Sequence, residues 1–246
     1  MALYVDTLEP QSGTTLTVGE TGQNTVVGGN TIKLNTLKDS GGNTLFTSNG
    51  SGVLSSVNDG FGSGMALLQT QTADDSASLS FTSNIDSTYK EYVFRFYNIR
   101  PETNNTWFQF QVNASGESGY NETMTTTVFA SYHAEADNWY GLSAQTGDFQ
   151  SQGTGFQSLC IINTNDADGS GFGELHLYNP ASTTYVKHFL GTVQYIRDTQ
   201  NQPQYIVYAM TAYTGGYINT TSAITEVQFK QNSGNFNGTI KLYGVK

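Results

Sequence analysis

The residues with the most obvious chemical potential lie in one short polar and aromatic segment, residues 132–140. The candidate contacts in it are Tyr132, His133, Asp137, Asn138, Trp139 and Tyr140. Aromatic rings offer a flat apolar surface to a sugar, and the imidazole, carboxylate and amide groups offer hydrogen bonds. We predict that this segment is a loop, and it is the candidate contact with a glycan or another receptor. The structural interpretation, in which Trp139 packs at the end of the sandwich or at a subunit interface, is the one the sequence favours for Trp139.

A second candidate is a calcium loop at residues 163–169. Its sequence, Asn-Thr-Asn-Asp-Ala-Asp-Gly, places carboxylates at alternating positions before a glycine. This matches the first half of a calcium-binding loop, whose twelfth position is a bidentate Glu. The twelfth position counted from Thr164 is Leu175. The sequence therefore favours a polar turn, and we expect no metal and no other cofactor.

Catalytic spacing is missing from the sequence. Most glycosidases use two carboxylates about 5–9.5 Å apart, which one strand would supply at positions i and i+2 or i+4. Glu91, Glu174 and Glu226 each stand alone on a predicted strand, and no serine lies in a G-x-S-x-G motif. Cys160 lies in an apolar run and is predicted to be a buried small side chain. We predict that the protein is not an enzyme.

The composition narrows the function further. The chain has 246 residues, a formal net charge of −10 and 12% charged residues, about half the usual share of roughly 25%. A surface wetted by Asn, Thr, Ser, Gln and Gly is typical of adhesins, lectins and virion proteins. Nucleic-acid binding needs clusters of Lys and Arg, and membrane insertion needs an apolar run of about 20 residues. We expect neither activity. The N-terminus does not resemble a secretion signal, which favours release by lysis of the producing cell.

The pattern of residues 65–246 predicts an all-β jelly-roll β-sandwich. Predicted strands are Ala66–Gln71, Ala77–Thr82, Glu91–Ile99, Trp107–Ala114, Thr125–Tyr132, Gln157–Asn163, Gly173–Tyr178, Thr184–Ile196, Tyr205–Ala212, Ala223–Lys230 and Thr239–Val245. Predicted turns include Gly215-Gly216, and residues 133–137 are the best candidate for a short helical turn. Residues 89–112 are predicted to form a hairpin whose inner face carries Phe94, Phe96, Phe108 and Phe110.

Residues 1–64 have a different character. Short Thr-, Val- and Leu-containing pieces alternate with Gly and Asn, and the segment has almost no aromatic residues to build a core. Disorder is one solution, and assembly of identical chains around a common axis is the other; the regular spacing of the apolar pieces favours assembly. Residues 205–210 are apolar on both faces, which suggests a second buried face. Both features lead us to expect a homotrimer.

Three stretches resemble one protein family. The C-terminal Gly-Thr-Ile-Lys-Leu-Tyr-Gly-Val at 238–245, the alternating strand at 224–229 and the opening Leu-Glu-Pro-Gln-Ser-Gly-Thr-Thr at 8–15 resemble jelly-roll proteins of tailed bacteriophages of the marine type. Members of this family are tail-fibre or capsid-decoration proteins. The turn that usually follows the opening contains an acid, which is absent from Thr21-Gly-Gln-Asn-Thr-Val26. The resemblance implies a structural role in the virion and a trimer, and no catalytic residue.

These observations lead to one expectation with two alternatives. We expect a phage virion protein, a tail fibre or a similar appendage, that contributes to attachment to the host surface. Residues 1–64 would be a stalk that binds other virion proteins, and residues 65–246 would be the jelly-roll head. Such a protein is made in the host cytoplasm and released by lysis. The alternatives are a capsid-decoration protein and an extracellular carbohydrate-binding lectin or adhesin.

Overall fold

The computed structural model of the chain describes residues 34–51, 54–55, 57, 64–162, 169–198 and 206–245. The chain divides into two compact units, Met1–Gly62 and Ser63–Lys246. Most of the predicted stalk, including all of residues 1–33, lies outside the described residues. So do residues 163–168 of the possible calcium loop.

The N-terminal unit contains a small antiparallel sheet of three strands, β1 (Thr36–Lys38), β2 (Thr44–Ser48) and β3 (Leu54–Ser55). The turn between β1 and β2 is organised by Asp39, whose Oδ1 accepts hydrogen bonds from the backbone N–H groups of Gly41 and Asn43 at 2.9 and 2.8 Å. Within the described residues of this unit no side chain is buried. This sheet therefore has no core of its own in the described part of the unit.

The C-terminal unit is built from strands β4 to β16, and the predicted all-β class is confirmed. The strands are β4 (Met65–Ser76), β5 (Ser78–Phe81), β6 (Glu91–Pro101), β7 (Thr106–Ala114), β8 (Met124–Ala134), β9 (Tyr140–Ala144), β10 (Ser151–Gly153), β11 (Gln157–Ile162), β12 (Gly171–Tyr178), β13 (Lys187–Asp198), β14 (Val207–Ile218), β15 (Ile224–Gln231) and β16 (Phe236–Val245). A single 3₁₀ turn, Thr146–Asp148, lies between β9 and β10.

Two antiparallel sheets form the sandwich. The large sheet has the order β10-β8-β14-β13-β12-β6-β16-β4, with β9 also paired to β8, and the small sheet has the order β11-β7-β15-β5. Eight of these strands follow the jelly-roll path, with β4, β16, β6 and β12 in one sheet facing β5, β15, β7 and β11 in the other. We call them the jelly-roll strands. The remaining five, β8–β10 and β13–β14, are two insertions that widen the large sheet, and we call them the inserted strands.

The predicted hairpin of residues 89–112 is wrong. Its two halves, β6 and β7, belong to different sheets and do not pair. The four phenylalanines still face one core, because Phe94 and Phe96 enter it from the large sheet and Phe108 and Phe110 from the small one. Phe96 meets Phe108 edge-on with ring centroids 5.2 Å apart. Alternation identifies a buried face, but it does not identify the strand that covers that face.

The centre of the core is Phe229 on β15, which is fully buried. Five other phenylalanine rings surround it at centroid distances of 5.2 to 6.4 Å: Phe81, Phe94, Phe96, Phe108 and Phe110. Most of these contacts are edge-on or tilted, the arrangement that aromatic quadrupoles favour. Only jelly-roll strands contribute to this cluster.

Three other expectations also need correction. Gly215 and Gly216 do not form a turn but lie inside β14, where a Cβ on Gly216 would stand 2.5 Å from the Thr125 carbonyl oxygen. Those glycines therefore allow a close approach of two strands. Residues 133–137 form the end of β8 and a turn rather than a helical turn. Described residues 206–210 have no second buried face within this unit, since Ala209 is exposed, and burial of that face against another subunit stays a prediction.

Candidate functional site

The predicted contact segment connects β8 to β9 as a tight turn. The Asp137 N–H donates to the Ala134 carbonyl at 3.0 Å, and the Ala134 N–H donates to the Trp139 carbonyl at 2.8 Å. Asp137 has a φ of 55°, a left-handed conformation that Asp tolerates in turns. Tyr132 and His133 are successive residues of β8, so their side chains lie on opposite faces of the sheet. The segment is thereby split between two surfaces.

One surface borders a cavity of about 270 Å³ at the end of the sandwich. Its lining side chains are Tyr132, Trp139, Ser143, Gln145, Arg197, Tyr208 and Met210. All of them lie on the inserted strands or in the loops between those strands. Tyr132 and Tyr208 meet edge-on, with ring centroids 6.2 Å apart, and Trp139 is 58% exposed beside them. The cavity therefore has aromatic walls and an open side.

The polar groups of this cavity are arranged for hydrogen bonding. Gln145 Nε2 donates to Ser143 Oγ at 2.8 Å, which holds these two side chains together. Arg197 is half-buried, and its Nε is shielded from solvent without a hydrogen-bond partner. Buried polar atoms nearly always have a partner, so an orphaned guanidinium nitrogen at a cavity calls for an explanation.

Four of the predicted contacts lie away from the cavity. His133 Nε2 is 2.9 Å from Asp137 Oδ1, and the His133 ring lies edge-on to Tyr140 with centroids 6.2 Å apart. Asn138 and Tyr140 are exposed and do not line the cavity. Of the six predicted residues, the structure therefore places Tyr132 and Trp139 together in the cavity. Ser143, Gln145, Arg197 and Tyr208 were not predicted, because strand register rather than local spacing brings them to it.

The other surface is the outward side of the inserted strands, which we call the neutral face. It consists of the solvent-accessible outward side chains of β9, β8, β14 and β13, and none of these described residues is Asp, Glu, Lys or Arg; Asp198, at the outward position that ends β13, is buried. Its exposed large apolar side chains are Phe129, Tyr140, Leu142, Leu190, Ile196 and Tyr213. Phe129 stacks on Tyr213 with centroids 4.9 Å apart. Beside them Gly215 leaves a groove of about 490 Å³ bordered by Leu190, Thr127 and Tyr217.

The outward side of β12, β6, β16 and β4 is different, and we call it the ionic face. His176 lies between two carboxylates, with Nδ1 2.5 Å from Glu91 Oε1 and Nε2 3.1 Å from Glu174 Oε1. Glu174 also pairs with Arg95 at 3.3 Å. Burial alone would lower the pKa of His176, but its hydrogen bonds to Glu91 and Glu174 outweigh burial and raise it. Glu91 and Glu174, which looked isolated in the sequence, meet here because β6 and β12 are neighbours.

Other possible reactive or binding features are limited in the described residues. Cys160 is buried, and burial raises the pKa of its thiol, which keeps it protonated. Across the described ranges, no set of three His, Cys, Asp or Glu side chains is arranged to hold a metal ion. In the same ranges, no helix has the length and apolar character to cross a membrane. Comparisons with protein-family models, curated proteins and solved structures found no match to this chain.

Proposed function

We propose that the protein is a structural component of a phage virion whose jelly-roll head binds glycans on the host surface. A tail fibre or similar appendage is the form we favour. The observation that carries the binding role is the aromatic-walled cavity at the end of the sandwich, built entirely by insertions into the jelly roll. The place in the virion rests on the sequence resemblance and on the surface composition. Residues 1–64 are proposed to attach the head to other virion proteins.

The chemistry of the cavity suits a sugar. Tyr132 and Trp139 offer aromatic faces against which the C–H groups of a pyranose ring pack, and Ser143 and Gln145 offer hydrogen bonds to hydroxyl groups. Ligand sites in proteins combine mainly apolar walls with a few placed polar groups, in volumes from about 300 Å³ upward, and this cavity, at about 270 Å³, lies just below that range. The described lining supplies stacking and hydrogen bonding rather than the two carboxylates of a glycosidase. This favours binding over hydrolysis.

We further propose that the neutral face is the contact between copies of this chain in a homotrimer. The chain carries a net charge of −10, so a contact between identical copies is favoured where charges are absent, and the neutral face is such a place. Strands β8, β13 and β14 are 11, 12 and 12 residues long. At about 3.3 Å per residue and about 4.8 Å between strands, the four strands cover roughly 600 Å². This approaches the ~800 Å² per partner of a standard interface.

The glycan-binding role is tested by titrating the full-length protein with neutral and acidic oligosaccharides from bacterial surface polysaccharides. Ligand-observed NMR measures the binding at each step. We expect binding that Trp139→Ala weakens at least tenfold. Tyr185→Ala is the control, because Tyr185 is also a largely exposed aromatic residue, 69% against 58% for Trp139, and does not line the cavity. Absence of binding to every oligosaccharide, or equal losses in both variants, would overturn the proposed role.

The place in the virion is tested separately by purifying particles from an infected culture and measuring the copy number of this protein relative to the major capsid protein. We expect a low and fixed ratio in intact particles. A copy number comparable to that of the capsid protein would favour the decoration protein instead. Complete absence from particles would favour a free lectin.

A further inference from the structure

We propose that the sugar bound in the cavity is acidic and that its carboxylate pairs with the guanidinium of Arg197. This inference rests on the proposed glycan-binding role and adds the chemical class of the ligand. Neutral sugars need only the stacking walls and the hydrogen bonds of the cavity. Arg197 is the feature that a neutral sugar leaves unexplained.

The position of Arg197 is set by strand pairing. On β13 it stands directly opposite Tyr208 of β14, and both side chains line the cavity. Tyr208 in turn pairs with Ala134 at the end of β8, next to the turn that carries Trp139. The guanidinium is therefore held at the aromatic end of the cavity by the registers of three inserted strands.

Among the residues that the structure describes, Arg197 has no charged partner. It forms no ion pair with any Asp or Glu in the described parts of the chain, whereas Arg95 and Arg100 both do. Its Nε is also buried without a hydrogen bond. The described cavity lining contains no carboxylate that could approach it. An arginine that is half-buried without a partner is costly, and that cost is recovered when a ligand supplies the acceptor.

A carboxylate is the acceptor that fits best. The guanidinium is a planar fork of donors, and a carboxylate presents two oxygens at matching spacing for a bidentate pair. The charge of the whole chain, −10, would repel an anion, so a lone arginine at a cavity without acidic lining is a local exception to the protein's charge. Uronic acids and sialic acids combine such a carboxylate with a ring that can stack on Tyr132 or Trp139.

The decisive experiment compares ligands that differ at one carbon. Methyl glucoside, methyl glucuronide and methyl glucoside 6-phosphate carry a hydroxymethyl, a carboxylate and a phosphate at C6, and the galacto and manno series are treated in the same way. Each is titrated into the full-length protein by ligand-observed NMR at low and high salt. Charge-assisted hydrogen bonds lead us to expect the uronide to bind roughly 10- to 100-fold more tightly than the neutral glycoside.

Two variants assign that preference to Arg197. Arg197→Gln should reduce the ratio of uronide affinity to glycoside affinity to about one, while Arg197→Lys, a point charge without the fork, should retain only part of that ratio. Melting curves of both variants check that the fold is intact. Trp139→Ala, in contrast, should weaken the binding of the uronide and of the glycoside to the same extent.

The possible failures are distinguishable. Equal binding of uronide and glycoside, or a preference that survives Arg197→Gln, overturns the acidic ligand and leaves the glycan-binding role standing. If the 6-phosphate binds as tightly as the uronide, the site does not select a carboxylate and binds anions in general. Failure of every ligand in all three series overturns both this inference and the proposed glycan-binding role.

Discussion

In the large sheet, the jelly-roll strands and the inserted strands expose opposite kinds of side chain to solvent. On the ionic face, polar side chains are paired with one another, as in the Glu91–His176–Glu174–Arg95 network. On the neutral face, large apolar side chains are exposed in rows without a charge among the solvent-accessible outward residues that the structure describes. A sheet in water gains nothing from exposed leucine and phenylalanine, and exposed apolar patches of this kind mark interaction sites. The jelly-roll strands thus form the sandwich, and we propose that the inserted strands form its contacts.

Inside the sandwich the division is partial. The rings around Phe229 come from jelly-roll strands alone and the aromatic cavity from inserted strands alone, but the inserted strands also extend the core, where Phe189 of β13 meets Phe110 with centroids 5.0 Å apart. Insertions are tolerated where they leave the existing core intact, because the entropic cost of a longer connection grows slowly with its length. A binding site that grows in an insertion can therefore change without weakening the domain. The predictions below test this separation.

The largest effect is expected at the centre of the jelly-roll core. Phe229→Ala removes a fully buried ring that meets five others, and such a loss costs about 3–5 kcal/mol of unfolding free energy. A domain has only about 5–15 kcal/mol in total. Trp139→Ala, in the inserted region and 58% exposed, should change the unfolding free energy by less than about 0.5 kcal/mol. Urea denaturation of both variants measures the difference. Comparable losses of unfolding free energy would contradict the separation of the jelly-roll core from the inserted cavity.

The sequence predicts the strands of this protein better than it predicts their partners. All eleven predicted strands correspond to described strands with shifted ends, and two of the predictions, Ala66–Gln71 and Tyr205–Ala212, cover only the first half of β4 and of β14. The hairpin of residues 89–112 failed because β6 and β7 both have a buried face, and alternation is the same whether two strands pair or face each other. Strands β9 and β10 were missed because they are short and contain Gly, Ser and Gln rather than β-branched residues.

The candidate site was predictable only where it is continuous in sequence. Tyr132 and Trp139 lie seven positions apart and share a turn, so composition alone pointed to them. Arg197 and Tyr208 reach the cavity through the pairing of β13 with β14, which no local pattern specifies. The same is true of His176 and Glu91, which lie on neighbouring strands 85 positions apart in the chain, whereas Glu174 is two positions from His176 on β12. Spatial proximity of this kind follows from topology.

The second prediction compares two exposed leucines of equal exposure on the two faces. Leu190 on the neutral face is 56% exposed and Leu67 on the ionic face is 55% exposed. Leu190→Asp places a charge in the proposed contact between copies, where it must lose its hydration and meet like charges. We expect sedimentation velocity to show a trimer for the wild type and at least tenfold weaker association for Leu190→Asp.

Leu67→Asp is the matched control, because it adds the same charge to the same sheet at the same exposure. It should sediment as the wild type does. A stable monomer of 26.7 kDa for the wild type would contradict the trimer. Dissociation by Leu67→Asp but not by Leu190→Asp would place the contact on the ionic face and reverse the comparison.

The smallest effect concerns the ionic face and its dependence on pH. The pKa of His176 is raised in the folded protein, because its hydrogen bonds to Glu91 and Glu174 outweigh the opposite effect of burial. A raised folded-state pKa means that the charged imidazole stabilises the fold fully below the unfolded value, about 6.5, and that this contribution is lost as pH rises through the folded value. Since the partners are partly exposed, the contribution is at most about 1 kcal/mol.

His176→Gln should therefore have a lower unfolding free energy than the wild type at pH 5.5. This gap in unfolding free energy should close as the pH rises above the folded-state pKa of His176. Urea denaturation at a series of pH values measures it, and Glu91→Gln should narrow the gap by removing one of the two acceptors of the imidazolium. A gap that widens with rising pH would mean that the network holds a neutral imidazole. The ionic face would then depend on hydrogen bonding rather than on charge, and its contrast with the neutral face would be one of polarity alone.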